Sequence, residues 1–247
     1  MKKLISSFAG LSMLLGAANA APIVIDFETD DDGAAIGNGQ VINDEFADFG
    51  VTITATGGIG VAVAFDSDLP SNGDNMPAGG DDPDLIGDLT NQGGSGTTTA
   101  DGNLLIVQEN GMGDPVANPD DAVGGVITVD FSEGVTFLGF DAIDFTDNGA
   151  GLTVSFFTDI NEAASQMFTF DEMFLGVGVG NNEFFSFGIA ELGNLTDIVR
   201  VVFAFTGSGA LDNLQFEVAE IPVPGAFFLL MSGIAGLGWA SRKRKAA

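Results

Sequence analysis

Carboxylates are the only abundant side chains in this sequence that are suited to chemistry. The chain has 35 Asp and Glu residues and no His, Cys or Tyr. Without His or Cys, an ordinary Ser-His-Asp triad, a thiolate nucleophile and the usual kind of zinc site are excluded. Two kinds of oxygen chemistry remain open: the binding of a hard cation such as calcium, and glycoside hydrolysis by a pair of carboxylates.

The charge of the chain is unevenly distributed. All 35 acidic residues lie between Asp26 and Glu220, where Arg200 is the only Lys or Arg, so this span carries a net charge of −34. Such a charge repels nucleic-acid phosphates, and we expect no nucleic-acid partner. Divalent cations neutralise clustered carboxylates, which favours calcium as a bound ion. The alternative is that the acidity only keeps the protein soluble.

Two of the acids are in phase with apolar neighbours in regions of strand-like alternation. Asp144 is four residues after Phe140, and Asp212 is two residues before Leu214, so in a strand each acid would share a face with that apolar residue. Both side chains are therefore predicted to point toward the core, where a carboxylate must be paired or coordinated. One Arg cannot satisfy several acids, so calcium is the natural counter-charge. Backbone N–H groups are the competing partners for an Asp at a strand edge.

Further candidate ligands lie outside the apolar runs. Asp82 and Asp84 flank a proline, Asp120 follows another proline, and Glu28 follows the first apolar run. None of these stretches has the EF-hand pattern. The predicted calcium ligands are Glu28, Asp82, Asp84, Asp120, Asp144 and Asp212. We name no catalytic residue. Among 35 acids some pairs of carboxylates lie close together by accident, so such a pair is no evidence for glycoside hydrolysis.

Short apolar runs must position these acids. Many of the runs alternate with period two, as Leu211–Val218 does, and Gly, Asp, Asn and Pro separate them. This pattern predicts about ten strands and no long helix, hence an all-β fold in residues 21–219, namely a two-sheet β-sandwich of the jelly-roll type. The polar stretch from Asp66 to Asp101 is predicted to be a long loop, with a mobile turn at Gly93–Thr99.

The N-terminus has the three parts of a secretory signal peptide. Lys2 and Lys3 precede an apolar stretch from Leu4 to Leu15, and the small residues Ala18 and Ala20 follow. Residues 1–20 are therefore predicted to be a signal peptide that is cleaved before Ala21. The alternative, a retained anchor helix, is disfavoured because the apolar core is short for a membrane span.

The C-terminus, residues 220–247, predicts a membrane anchor. Ile221–Ala240 is uncharged and has 20 residues, about the length that crosses a bilayer core. A basic cluster follows directly and should stay cytoplasmic, which places the acidic domain outside the inner membrane. The cluster consists of Arg242, Lys243, Arg244 and Lys245.

This tail resembles a known sorting signal. Pro222, Val223, Pro224 and Gly225, followed by the Gly-rich apolar span and the basic end, are similar to the PEP-CTERM domain in its VPLPA-type variant. The resemblance implies recognition by an exosortase, removal of the tail, and delivery to the cell surface or the exopolysaccharide matrix. Gly225 departs from the variant's pattern, which leaves open retention of the tail as an anchor.

A second resemblance covers most of the domain. The Asp82-Pro83-Asp84-Leu85 loop, the strand that begins at Gly102-Asn103, and the stretch from Ala210 to Phe216 are similar to a jelly-roll module of exported bacterial proteins. In carbohydrate-binding jelly rolls a first-strand acid and a last-strand Asp often meet at a structural calcium, and Glu28 and Asp212 occupy comparable places. The resemblance implies no enzymatic activity.

Taken together, these patterns predict a non-enzymatic exported protein of the cell surface or exopolysaccharide matrix, stabilised by calcium. Two alternatives stay open. One is a carbohydrate-binding module that attaches to matrix polysaccharide, although Trp239 in the tail is the only Trp available for stacking on sugar rings. The other is a carboxylate-dependent glycoside hydrolase.

Overall fold

Eleven strands and two four-residue helices form the described part of the protein, which we analysed as a computed structural model. It describes residues 21–58, 60–68, 85, 90–96, 102–108, 124–146, 150–175 and 183–218. The strands are β1 (Ile23–Ile25), β2 (Val51–Thr56), β3 (Ala62–Asp66), β4 (Thr90–Gly94), β5 (Asn103–Val107), β6 (Val126–Ile143), β7 (Gly151–Phe157), β8 (Gln166–Asp171), β9 (Glu183–Phe187), β10 (Leu195–Phe205) and β11 (Ala210–Val218). The helices are α1 (Glu172–Leu175) and α2 (Ile189–Leu192), and Ala47–Phe49 forms a 3-10 turn. The predicted all-β character is confirmed.

Hydrogen bonds join the strands into one large sheet. Its main path runs β3-β5-β11-β6-β10-β7-β8, while β1 pairs with β11, β2 and β9 pair with β6, and β4 pairs with β9. Every pairing is antiparallel except the parallel one between β4 and β9. Antiparallel neighbours fit a sequence of short strands separated by turn residues.

The 18-residue strand β6 is the spine of the sheet. Its first half pairs with β2 and β10, and its second half pairs with β11 and β9. In the first half only alternate residues, such as Ile127 and Val129, are buried, whereas from Gly139 to Ile143 every residue is buried. The second half of β6 is therefore covered on both faces.

Two apolar clusters account for this difference. The main cluster contains Phe140 and Ala142 of β6, and the twelve largest fully buried side chains of the described residues are all Phe. Their rings pack edge-on and stacked, as between Phe140 and Phe203, whose centroids are 5.0 Å apart. A smaller cluster covers the opposite face, and its members are Val63, Phe65, Leu85, Leu104, Ile106, Ile143, Phe184 and Ala210.

Part of the predicted loop between Asp66 and Asp101 is a strand. Thr90–Gly94 forms β4, and Leu85 is fully buried in the smaller cluster. The prediction was wrong at β4 because its sequence has little strand propensity and its parallel pairing with β9 is a tertiary effect. Glycine is required at Gly94, where φ is +92° and a Cβ would overlap the carbonyl oxygen of Ser186.

The two predicted export segments, residues 1–20 and 220–247, lie outside the described residues. Cleavage before Ala21 and a membrane helix over Ile221–Ala240 therefore stay predictions. Within the described ranges, no helix has the length and apolar character that crossing a bilayer requires.

Candidate functional site

Buried carboxylates meet where β6 and β11 pair. Asp141 and Asp212 are directly opposite each other in this ladder, and they are 0% and 1% exposed. The side-chain amide of Asn213 donates to Asp141 Oδ2 at 2.9 Å and to Asp212 Oδ2 at 2.8 Å, while the hydroxyl of Ser186 donates to Asp141 Oδ1. One amide thus bridges two carboxylates on neighbouring strands.

A third buried carboxylate follows the end of β6. Asp144 is 1% exposed, has a φ of +49°, and accepts a hydrogen bond from the hydroxyl of Ser208 at 2.7 Å. We call Asp141, Asp144 and Asp212 the buried acidic group. Arg200 binds Asp130 through Nε at 2.6 Å and Nη2 at 3.0 Å on the partly exposed side of β6 and β10. The only Arg between Asp26 and Glu220 is therefore engaged elsewhere.

The predicted burial of Asp144 and Asp212 is confirmed, but the face of Asp212 differs from its sequence parity. Asp212 lies on the face of Ala210 in the smaller cluster, whereas Leu214 belongs to the main cluster. The ladder shifts register after Asp212, and Asn213 adopts a left-handed φ of +49°. A bulge of this kind interrupts the alternation of side chains, and no residue type in the sequence announces it.

Glu28 lies at a second site, beside the start of β5. Its Oε1 accepts the backbone N–H of Asn103 at 2.5 Å. The side-chain amide of the buried Asn103 donates to the carbonyl oxygens of Phe27 at 2.9 Å and Ile36 at 3.0 Å. Asn103 thereby fastens the loop that follows β1 to the sheet.

The electrostatic surroundings of Glu28 disfavour its charge. Burial of the carboxylate raises its pKa above the usual value, and the charges of Asp26, Asp66 and Asp68 raise it further, although the Asn103 N–H opposes them. Negative charges that repel one another in this way create a place for a cation. The charges that act on Glu28 include those of Asp66 and Asp68, while the neighbours of Asp212 include Asn213.

A third acidic group comes from residues that are distant in sequence. Carboxylate oxygens of Asp31, Asp32 and Asp48 lie within 4.8 Å of one another, and the Asp48 N–H donates to Asp31 Oδ2 at 2.5 Å. Sequence reasoning missed Asp48 because only the fold of the 3-10 turn brings it to the loop after β1. It also missed Asp141, because this residue follows Phe140 directly in β6. Its side chain therefore lies on the opposite face of the sheet from Phe140, on the side of the smaller cluster. The predicted ligands Asp82, Asp84 and Asp120 lie outside the described residues.

Two open cavities accompany these groups. One, of about 310 Å³, is lined by Ser95, Gly188 and Ile189 among others. Next to it, burial opposes the ionisation of Glu191, but hydrogen bonds from the Ser95 hydroxyl and the Gly188 N–H together lower its pKa. The other cavity, of about 300 Å³, lies where β1 begins and β11 ends.

The chemistry of these groups is that of oxygen ligands. Carboxylate, hydroxyl and amide oxygens are the donors that hard divalent cations prefer. Comparison with protein-family models, with curated proteins and with solved structures gives no match for this chain. The sequence patterns and the described geometry are therefore the basis for a function of this chain.

Proposed function

We propose that this chain is a non-enzymatic exported protein of the cell surface or exopolysaccharide matrix, with a calcium-stabilised β domain. The observation that carries the proposal is the pair of export patterns, one at each end, around a domain with a net charge of −34. An exosortase would process the C-terminal tail. Before processing, the tail would anchor the domain on the periplasmic side of the inner membrane.

We also propose that the sheet closes over its main core as a two-layer sandwich of the jelly-roll type. Support comes from β6, which pairs with β2 and β10 in its first half and with β11 and β9 in its second half. One strand shared by two sets of neighbours suits a sheet that folds back on itself over a Phe-rich core.

The buried acidic group supports the calcium part of the proposal. A buried ionised carboxylate is costly unless it is paired or coordinated, and a bound calcium ion would add a counter-charge to the hydrogen bonds that these carboxylates accept from Ser186, Ser208 and Asn213. Calcium takes six to eight oxygen ligands and tolerates irregular geometry. Asp141 and Asp212, which the Asn213 amide bridges, are the proposed ligands here, with Asp144 three residues further along the chain from Asp141. The described carboxylates whose oxygens already lie within 4.8 Å of one another are those of Asp31, Asp32 and Asp48.

Calorimetry of the mature chain in a neutral detergent tests this assignment. We expect calcium to raise the melting temperature well above that in chelator, because an ion that binds only the folded state stabilises it. The double variant Asp141→Asn, Asp212→Asn should lose most of this calcium-dependent increase. The double variant Asp159→Asn, Glu162→Gln, which removes two charges from exposed acids in the turn after β7, is the matched charge control and should keep it. Equal melting temperatures in calcium and chelator would remove the metal from the proposal.

Mass spectrometry of protein recovered from membranes and from medium tests the export part. Processing predicts loss of the tail with a new C-terminus near Ile221, whereas anchoring predicts an intact chain that ends at Ala247. A cytosolic protein that retains Met1 would contradict both outcomes.

The hydrolase alternative has less support from the geometry. A glycosidase needs two carboxylates that flank a sugar in an accessible cleft. The cross-strand pair of Asp141 and Asp212 is buried, so a polysaccharide does not reach it. Absence of turnover on extracted matrix polymer would dispose of the hydrolase alternative. Absence of binding to the same polymer would dispose of the carbohydrate-binding alternative.

A further inference from the structure

The cavity of about 300 Å³ where β1 begins and β11 ends is lined by both apolar and acidic residues. Its apolar residues come from β1, β6, β11 and the 3-10 turn, and they are Ile23, Phe49, Phe131, Val135 and Val218. Asp48 and Glu133 line the same cavity and are exposed. Asp48 also belongs to the acidic group with Asp31 and Asp32. A cavity of this composition suits a small cation rather than an anion.

Strand register places the start of the described chain at this cavity. In the antiparallel pairing of β1 and β11, Ile23 is opposite Phe216 and Val24 is opposite Gln215. The same register, continued by two residues, puts Ala21 opposite Val218, which lines the cavity. Ala21 is exposed and lies two residues before Ile23, so its nitrogen is within about 7 Å of a lining residue.

Signal-peptide cleavage changes the chemistry at this position. While residues 1–20 are attached, the nitrogen of Ala21 is a neutral amide. Hydrolysis of the Ala20–Ala21 peptide bond converts it to a primary amine, which is largely protonated at neutral pH because α-amino groups have a pKa near 8. Arg200, the only other cation of the exported span, already binds Asp130. Cleavage thus adds a second cation to the span that contains Arg200, and this new cation is near an acidic cavity.

We propose that this cavity is a binding site for a primary ammonium group, and that its ligand is the α-ammonium of Ala21 in the cleaved protein. Asp48 from the 3-10 turn and Glu133 from β6 accept its hydrogen bonds. The inference rests on the signal-peptide cleavage within the proposed function. Its consequence is that the first strand is fastened at its outer end only after cleavage, next to the point at which the chain leaves for the tail.

Titration of the α-amine tests the site directly. The chain from Ala21 to Ala247 is produced with ¹³C labelling from a fusion whose protease leaves Ala21 first, and NMR follows protonation of the free amine through the chemical shifts of Ala21. We expect the α-amine pKa to be roughly 0.5 higher in the parent than in the double variant Asp48→Asn, Glu133→Gln.

The control separates the cavity from the field of the whole acidic domain. Asp31 and Asp32 beside Asp48, Asp26 in the chain after β1, and Glu217 of β11 also act on this amine and stay unchanged in both variants. The double variant Asp159→Asn, Glu162→Gln removes the same charge in the turn between β7 and β8, three strands away from β11. It should leave the α-amine pKa close to that of the parent.

A second measurement follows stability. Addition of Gly-Ser before Ala21 moves the ammonium away, and we expect it to lower the melting temperature of the parent but not of the Asp48→Asn, Glu133→Gln variant. The proposed binding of the Ala21 ammonium would be overturned if the α-amine had the same pKa in the Asp48→Asn, Glu133→Gln cavity variant as in the Asp159→Asn, Glu162→Gln control. It would also be overturned if the Gly-Ser extension changed the melting temperature of the parent and of the cavity variant equally. A native protein whose first residue is not Ala21 would overturn the cleavage premise instead, so the two failures are distinguishable.

Discussion

Replacement of Asn103 by Ala should be among the most damaging single changes in the described region. Asn103 is 4% exposed, and its amide donates to two backbone carbonyls in the segment between β1 and the 3-10 turn. Ala removes both hydrogen bonds and leaves the carbonyl oxygens of Phe27 and Ile36 without these donors in a buried place. The backbone N–H of residue 103 and its bond to Glu28 are retained.

The magnitude follows from those two hydrogen bonds. A buried polar group that loses its partner costs about 1–3 kcal/mol, so two carbonyls give an expected loss of about 3 kcal/mol in the free energy of unfolding. For a domain of this size such a loss lowers the melting temperature by roughly 6–12 °C. Urea unfolding in chelator should be followed by far-UV circular dichroism, because the chain has no Tyr and its single Trp is in the tail.

Two comparisons make this prediction refutable. Asn161→Ala removes an amide that donates to Asp159 in an exposed turn, and it should cost less than about 0.5 kcal/mol. Asn103→Asp should be at least as damaging as Asn103→Ala, because it loses the donor and adds a negative charge beside Glu28. A loss below about 1 kcal/mol for Asn103→Ala, similar to that of Asn161→Ala, would refute the assignment of this residue as the anchor of the loop.

Three further outcomes are expected. Because the pKa of Glu28 is raised above 4.5 in the folded protein, stability is lost as pH rises through the interval above that value. Glu28→Gln should therefore raise the melting temperature at pH 7 in chelator. This increase should disappear below about pH 4, where Glu28 is protonated in both the folded and the unfolded chain. Equal melting temperatures of the variant and the parent at pH 7 would show that burial does not penalise the charge of Glu28. Gly94→Ala should cost more than 2 kcal/mol by urea unfolding, since its Cβ would collide with the Ser186 carbonyl, and a neutral result would mean that β4 is not held against β9. Arg200→Met should cost no more than about 1 kcal/mol, as its ion pair with Asp130 is about one-third exposed, and a much larger loss would show that the pair organises the sheet.

The sequence predicts the strand-rich fold because period-two alternation and turn residues are local signals. It also predicts the burial of Asp144 and Asp212, although the bulge after Asp212 places this side chain on the face of Ala210 and not on that of Leu214. It does not predict Asp141, because a residue facing away from Phe140 is expected to meet solvent, and here a second apolar cluster covers that face. Nor does it predict Asp48 beside Asp31, since their contact depends on a turn 17 residues away. Long-range packing, rather than residue type, decides both of these placements.

The position of β11 has a mechanical consequence under the proposal that the C-terminal tail anchors the protein. The strand ends at Val218 and is bonded to β6 along one edge and to β1 and β5 along the other. A pull on the tail acts along the strand axis, while ladder hydrogen bonds lie across it. Tension therefore loads many bonds together in shear instead of peeling them apart one by one, so the domain should resist extraction by drag far better than a terminal edge strand would.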